Sequence, residues 1–331
     1  MTKDKVLVLL KNAADYLSGE AMSKEIGVSR AAIHMAVNKL RGEGYEISSV
    51  TNKGYRLENS VDQLTEGEIV SRFSKPRKAK IICLESTDST NTRLKELALQ
   101  GAENGTVVVA NEQTAGRGRL GRSFQSAKNT GIYMSMLLRP QGGPAHISEI
   151  TAWVSVCVAR AIERVTGVKP GIKWVNDIVM NQKKICGILT EMALEGESGF
   201  IQYLIVGIGV NVHNKDEDFP EELREIASSL DEQTGEFVNR GDLVAAIIEE
   251  LDVMFERWPN HKDLYLTYYR QVCVTTHKKV RVIRGKKECL GDALEVTDDF
   301  GLRVRYEDGE EENVSSGEVS VRGMYGYVDG E

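Results

Sequence analysis

The sequence predicts a multidomain α+β protein, because its hydrophobic pattern changes character twice along the chain. Residues 1–60 hold short amphipathic helical stretches followed by an alternating hairpin, residues 65–270 alternate strand candidates with helices, and no helical period remains beyond about 271. At 331 residues the chain has length for two or three domains of ordinary size.

In the first segment, residues 5–14 are apolar on one face and 23–26 form a short helix. Gly27 makes a turn, and Ser29 caps a longer helix running to about Arg41. Helix, glycine-containing turn and helix is a helix-turn-helix pattern. Residues 45–50 alternate as a strand does, Asn52-Lys53-Gly54 turns the chain, and Tyr55-Arg56-Leu57 returns, as the wing of a winged helix would. The pattern lapses over 58–64, and Thr65-x-x-Glu68 reads as a capping box that opens a new helix. The expected domains are therefore 1–60, 65–270 and 272–331. From Ile81, the strand candidates include 106–110, 132–138 and 203–212. The clearest helix spans 148–165, with Ile150, Val154, Cys157, Val158, Ala161, Ile162 and Val165 on one stripe and Gly167 just past its end. At the C-terminus, 280–283, 289–296, 302–306 and 318–321 read as strands, with turns at Asp299-Phe300-Gly301 and Asp308-Gly309, closing the chain with a small barrel or sandwich.

Composition narrows the function classes. A hydrophobic fraction of 41% and a charged fraction of 27% are those of a soluble globular protein. The net charge of −7 argues against nucleic-acid binding over the whole surface. Residues 1–60 carry nine Lys and Arg against seven Asp and Glu, a net of +2, so the remainder carries −9 and any nucleic-acid contact belongs at the N-terminus. Five widely spaced cysteines without a Cys-x-x-Cys pair argue for reduced thiols in the cytoplasm. The apolar run 6–10 is too short for a signal-peptide core, and the run 151–162 is broken by Arg160 and falls short of the roughly 20 residues a membrane span needs.

Gly116-Arg117-Gly118-Arg119-Leu120-Gly121-Arg122 is the strongest local signal. It contains Gly-x-Gly-x-x-Gly, yet no helical pattern follows and no acidic residue lies in the next twenty or so positions, so a dinucleotide fold is excluded on context. Between Glu112 and Glu149 there is no Asp or Glu, while Arg117, Arg119, Arg122, Lys128 and Arg139 all lie inside. That balance predicts an anion site in which glycines admit a phosphate to the backbone and guanidinium forks bind its oxygens. A basic surface loop is the bland alternative. Lys173-Trp174-Val175-Asn176-Asp177 and Lys183-Lys184-Ile185-Cys186-Gly187 could serve a triphosphate and its magnesium, or be an ordinary hairpin with a lysine-rich turn. Asp88-Ser89-Thr90-Asn91 precedes a helix beginning near Thr92 and could simply cap it. The glycines of Gly207-Ile208-Gly209-Val210-Asn211 suggest a ligand packed on a strand or a plain bulge.

In this order, Ser-Thr-Asn, Gln113 before the glycine-arginine loop, Lys-Trp-x-Asn-Asp, Lys-x-x-Gly and Gly-x-Gly-x-Asn resemble the biotin protein ligases over essentially the whole chain. With the helix-turn-helix attached, the chain is similar to the bifunctional members that also repress the biotin operon. The resemblance implies a class II synthetase-like mixed sheet for the central domain and an SH3-like barrel for the last. It implies that Ser89, Thr90, Asn91 and Gln113 hold biotin, that Arg117, Gly118 and Arg119 close over biotin and the adenylate phosphate, and that Lys184 meets the reacting carboxylate and α-phosphate. Asn176 and Asp177 would serve the adenylate and its Mg²⁺, Gly187, Gly209 and Asn211 the pocket wall and nucleotide, and 212–230 would cover adenosine. Two positions depart from the family pattern. Many members have Pro where this chain has Val175, and a tryptophan that packs on adenine where it has Phe124, whose ring can still stack.

The implied reaction uses MgATP to convert biotin to biotinyl-5'-AMP, then passes biotin to a lysine of a biotin carboxyl carrier protein, with Asp177 a candidate proton acceptor. Arg30, His34 and Asn38 on the second helix, and Lys53 and Arg56 on the wing, would contact operator DNA, with Ile33 and Val37 in the core. The resemblance further implies a homodimer favoured by biotinyl-5'-AMP acting as corepressor. The competing readings are a lipoate protein ligase and a ligand-sensing repressor without catalysis.

Overall fold

The computed structural model describes residues 1–140, 147–194, 200–284, 286–315 and 319–323. It divides into two compact units, Met1–Lys78 with Asn239–Ala245, and Ala79–Val238 with Ala246–Glu331.

In the first unit, helices α1 (Thr2–Asn12), α2 (Gly19–Ile26) and α3 (Arg30–Gly42) precede the hairpin β1 (Glu46–Val50) and β2 (Gly54–Asn59). Ser18 and Ser29 cap α2 and α3 by accepting from the amides of Ala21 and Ala32, and Gly27 ends α2 at φ 77°, a value that favours glycine. Because Ser18 supplies the cap, α2 starts earlier than the expected Ser23. One core joins Val6, Leu7, Leu10, Met22, Ile33, Val37 and Leu40 to Ile47 of the hairpin. Helix α4 (Glu66–Val70) begins at Thr65, whose hydroxyl accepts from the Glu68 amide. The Glu68 carboxylate does not complete a capping box. It is fully buried and pairs with Lys11 at 2.6 Å and with Arg72. This buried ion cluster holds α4 to α1, which is why the first unit extends past residue 60.

The second unit is built on a seven-stranded sheet in the order β3-β4-β5-β9-β8-β7-β6. Its strands are β3 (Ile81–Leu84), β4 (Val107–Ala110), β5 (Gly131–Leu138), β6 (Gly171–Lys173), β7 (Asp177–Met180), β8 (Lys183–Leu194) and β9 (Ile201–Asn211). Among the described strands of this sheet, only β3 and β4 pair in parallel. The sequence shows β5 and β9 as near-continuous apolar runs because they are central and covered on both faces: every residue of β5 is buried. Helix α5 (Thr90–Leu99) packs on one side, and α6 (Ile147–Thr166) lies on the sheet through a stripe of fully buried Val154, Cys157, Val158, Ala161 and Ile162. Gly167 follows α6 at φ 72°. After β9 come α7 (Glu221–Arg224), α8 (Leu230–Thr234), α9 (Arg240–Arg257) and α10 (Lys262–Val272).

The chain closes with an antiparallel sheet ordered β13-β12-β11-β10-β14, from β10 (Lys278–Arg284), β11 (Lys287–Val296), β12 (Leu302–Tyr306), β13 (Glu311–Val314) and β14 (Val319–Gly323). Strand β13 escapes sequence reading because Glu311-Glu312-Asn313 is polar on both faces and is held by pairing to β12. Glu318, from which the last strand was expected to start, lies outside the described residues. In the Asp299-Phe300-Gly301 turn it is Phe300, not the glycine, that adopts the left-handed conformation, at φ 59°.

Candidate functional site

A cavity of about 60 Å³ opens on the sheet over β5, β8 and β9, and the motifs separated in sequence meet there. Ser89, Thr90, Asn91, Gln113, Arg117, Gly118, Arg119, Phe124, Asn176, Lys184, Gly187 and Gly209 all line it.

The parallel β3–β4 pairing accounts for the first group. It continues past the strand ends through Thr114 N–H to Thr87 O at 2.9 Å and Ala115 N–H to Asp88 O at 2.9 Å, which sets Ser89 and Thr90 beside Gln113. Helix α5 begins at Thr90 rather than near Thr92, so Thr90 and Asn91 stand in its first turn, and Ser89 makes no side-chain cap bond. The Thr90 amide donates to Gln113 Oε1 at 2.8 Å, while Gln113 Nε2 donates to Ser126 Oγ at 2.9 Å, so the amide faces one way.

Asn91 is 3% exposed and held as firmly. Ser135 Oγ lies 2.6 Å from its Oδ1 and 2.7 Å from Thr90 Oγ1, and its Nδ2 donates to Glu191 Oε2 at 2.7 Å. Lys95 Nζ donates to Glu191 Oε1 at 2.6 Å. Burial would raise the Glu191 pKa, but the Lys95 and Asn91 hydrogen bonds hold it below the usual carboxylate value. Ser126, Ser135 and Glu191 escape sequence reasoning, being single polar residues in or beside strands without a motif around them.

Glycines on the floor are required by close approach. A Cβ at Gly209 would stand 2.5 Å from the Phe124 ring, and one at Gly207 would overlap the Asn91 amide, with Cγ at 2.9 Å. Phe124 thus rests on the glycine floor and edge-on to Tyr133 at 6.4 Å.

The glycine-arginine loop folds on itself, with Gly118 N–H donating to Arg122 O at 2.7 Å and Phe124 N–H to Gly116 O at 2.9 Å. Arg117 donates to Thr92 Oγ1 at 2.8 Å, and Arg119 Nη1 to Asn176 Oδ1 at 3.0 Å. Burial lowers the Arg119 pKa and the nearby Asp177 opposes this. Two of the basic residues in this acid-free stretch are engaged away from the cavity. Arg139 is spent on the carbonyls of Ala98, Ala102 and Gln202, and Lys128 lies 3.7 Å from Glu85.

Lys184 Nζ pairs with Asp177 Oδ1 at 2.6 Å. The Lys184 main chain is pinned as well, its N–H donating to Ile226 O at 2.8 Å and its carbonyl accepting from Ser228 N–H at 3.0 Å. Asn211 lies off the cavity lining and donates to Ser228 O at 3.0 Å, so it anchors the 212–230 segment. The Trp174–Val175 peptide is cis. Among the described residues no group of three or more His, Cys, Asp or Glu is placed to hold a metal ion.

In the first unit, α3 exposes Arg30, His34 and Asn38 and buries Ile33 and Val37. Lys53 is exposed at the hairpin tip, whereas Arg56 is engaged, pairing with Glu58 through two hydrogen bonds of 3.0 and 2.8 Å and lying 4.9 Å from the Tyr16 ring centre.

Comparison with known proteins agrees with this geometry. Residues 83–211 match the Biotin/lipoate A/B protein ligase family and residues 2–56 an HTH domain. The bifunctional ligase/repressor BirA of Bacillus spizizenii is 34% identical over 317 residues, covering 93% of this chain and 95% of that protein. The bifunctional ligase/repressor BirA of Escherichia coli is 28% identical over 326 residues, 96% of each chain. The structure of the Aquifex aeolicus biotin protein ligase in complex with biotin and ATP superposes with a TM-score of 0.63 at 28% identity, covering 74% of this chain and 99% of that one. With the ligase cavity, the helix-turn-helix and a relative matched almost end to end, this chain belongs to the bifunctional biotin ligase/repressor family.

Proposed function

We infer that the chain is a biotin protein ligase that activates biotin with MgATP, transfers it to a biotin carboxyl carrier protein, and represses biotin genes through its helix-turn-helix. The observation that carries the reading is the convergence of two arginines and a lysine on one cavity walled by Ser89, Thr90, Asn91 and Gln113.

The hydrogen-bonding groups of Ser89, Thr90, Asn91 and Gln113 suit the ureido end of biotin, the glycine floor suits its apolar body, and the Phe124 ring beside that floor is the group to stack on adenine. The carboxylate then reaches toward Lys184 and the arginines. It is already ionised, so attack on the α-phosphate needs no general base. The obstacle is repulsion between an anion and a polyanion. At an effective dielectric near 20, each opposite charge at about 4 Å contributes roughly 4 kcal/mol, and Arg117, Arg119 and Lys184 supply such charges. The new bond joins carboxylate oxygen to phosphorus as pyrophosphate leaves, giving biotinyl-5'-AMP. The donor set fits a magnesium carried by phosphates rather than caged by protein, with Asp177 as the carboxylate for it. When bound, that ion supplies charge neutralisation at the departing pyrophosphate. In transfer, the neutral amine of the acceptor lysine attacks the anhydride carbonyl, the bond from that carbon to the phosphate oxygen breaks, AMP leaves, and the proton shed by the nitrogen passes to solvent. Asp177, engaged by Lys184 at 2.6 Å, is better placed to hold the Lys184 ammonium than to take that proton.

Arg30, His34 and Asn38 would enter the major groove and Lys53 reach a phosphate. A net of +2 over residues 1–60 gives one copy weak affinity, which favours a homodimer on a two-fold operator. The five cysteines are free, which supports action in the cytoplasm, and among the described residues no helix is long and apolar enough to cross a membrane. Biotinyl-5'-AMP is expected to tighten operator binding at fixed salt, measured by fluorescence anisotropy, and by reciprocity operator DNA should tighten biotinyl-5'-AMP binding. An operator affinity indifferent to the adenylate would remove the corepressor role.

The enzymatic reading is tested by pyrophosphate release from MgATP with biotin, lipoate or no acid. Release with biotin alone is expected. Release with lipoate would move the chemistry to the other substrate, and release with neither would leave a ligand-sensing repressor.

A further inference from the structure

We propose that Phe300, in a turn of the C-terminal sheet, is a positioning residue for adenylate formation, acting through Trp174 on Asn176 and Asp177. The proposal rests on the ligase reading and extends it to a residue far from the cavity. Phe300 is 2% exposed and adopts φ 59°, a left-handed backbone that a large side chain rarely takes without a local reason. The turn that holds it is closed by Phe300 N–H to Thr297 O at 3.0 Å and Thr297 N–H to Gly301 O at 2.9 Å. Its ring enters an aromatic socket on α6 and α10, edge-on to Tyr269 at 5.6 Å and tilted on Trp153 at 6.4 Å.

The same conformation points the Phe300 carbonyl at the Trp174 indole, whose Nε1 donates to it at 2.9 Å. Trp174 is 4% exposed, and its amide donates to Thr275 Oγ1 at 2.9 Å, so two hydrogen bonds from beyond residue 272 locate it. Two residues on, Asn176 accepts from Arg119 at 3.0 Å and donates to Ile188 O at 2.9 Å. One further, Asp177 pairs with Lys184. Arg119 and Lys184 therefore take their partners from the four-residue stretch Trp174–Asp177, whose indole is set by Phe300. Ser89, Thr90 and Gln113 share no hydrogen bond with that stretch among those described.

Displacing Phe300 should then misplace the phosphate-facing charges and spare biotin recognition. The test is the pre-steady-state burst of biotinyl-5'-AMP in the full-length protein, where amplitude counts competent sites and the rate constant reports chemistry. The parent protein's own burst with biotin establishes the ligase reading independently of the variants. Phe300→Ala should lower the burst rate constant by about 10- to 100-fold, the range for a displacement near 1 Å at a reacting centre. Burst amplitude and the biotin Kd without ATP should stay at the parent's values. Trp174→Phe keeps an aromatic ring and loses only the donor, and should lower the same rate constant by a smaller factor, which keeps the proposal testable if Phe300→Ala does not fold. An unchanged rate constant in Trp174→Phe, or a fall in rate matched by an equal fall in amplitude or in biotin affinity, would overturn it.

Discussion

Lys184→Ala should slow biotinyl-5'-AMP formation by about a thousandfold, read as the single-turnover rate at saturating biotin and MgATP. The ammonium sits 2.6 Å from Asp177 at the cavity edge, so its loss removes a cation from the site of anion attack and leaves Asp177 as an added negative charge there. One contact of roughly 4 kcal/mol corresponds to about three orders of magnitude in rate. Folding should be spared, because the hydrogen bonds to Ile226 and Ser228 are made by the Lys184 main chain and survive in alanine. A near-normal rate in Lys184→Ala would take the lysine out of the chemistry.

Gly207→Ala should weaken biotin binding by roughly 10- to 100-fold, the equivalent of about 1–3 kcal/mol of overpacking. The new methyl would overlap the Asn91 amide. That amide cannot swing away cheaply, because Ser135 holds its oxygen and Glu191 its nitrogen. Gly101, at φ 86° with nothing within 4 Å of a Cβ, is the control, since its alanine variant strains only a surface turn and should leave biotin affinity alone. Isothermal titration with biotin separates the two, and equal affinities in both variants would contradict the assignment of Asn91 to the biotin wall.

Which features could be read from the chain order follows from the range of the forces behind them. Helix α3 was legible because Ser29 caps it locally and Ile33, Val37 and Leu40 recur at helical spacing. Strands β5 and β9 were legible because burial on both faces favours near-continuous apolar runs. The groups that line the cavity were legible because each motif is contiguous and is carried by rare residue combinations, two arginines among glycines above all. Even there, the local charge pattern did not show that Arg139 is engaged by backbone carbonyls.

What the order of residues does not contain is which side chains meet after the strands have chosen their register. Ser135 and Glu191 sit 44 and 100 positions from Asn91, and Phe300 sits 126 from Trp174. Their partners are set by the pairing of β5 with β9, of β9 with β8, and by the packing of a C-terminal turn against α6 and α10. Periodicity and capping act over three or four residues and write themselves into the sequence. Hydrogen bonds that orient a pocket act over about 3 Å of space at any sequence separation, so the chain alone names the groups that meet at the cavity and only the folded sheet decides how they are aimed.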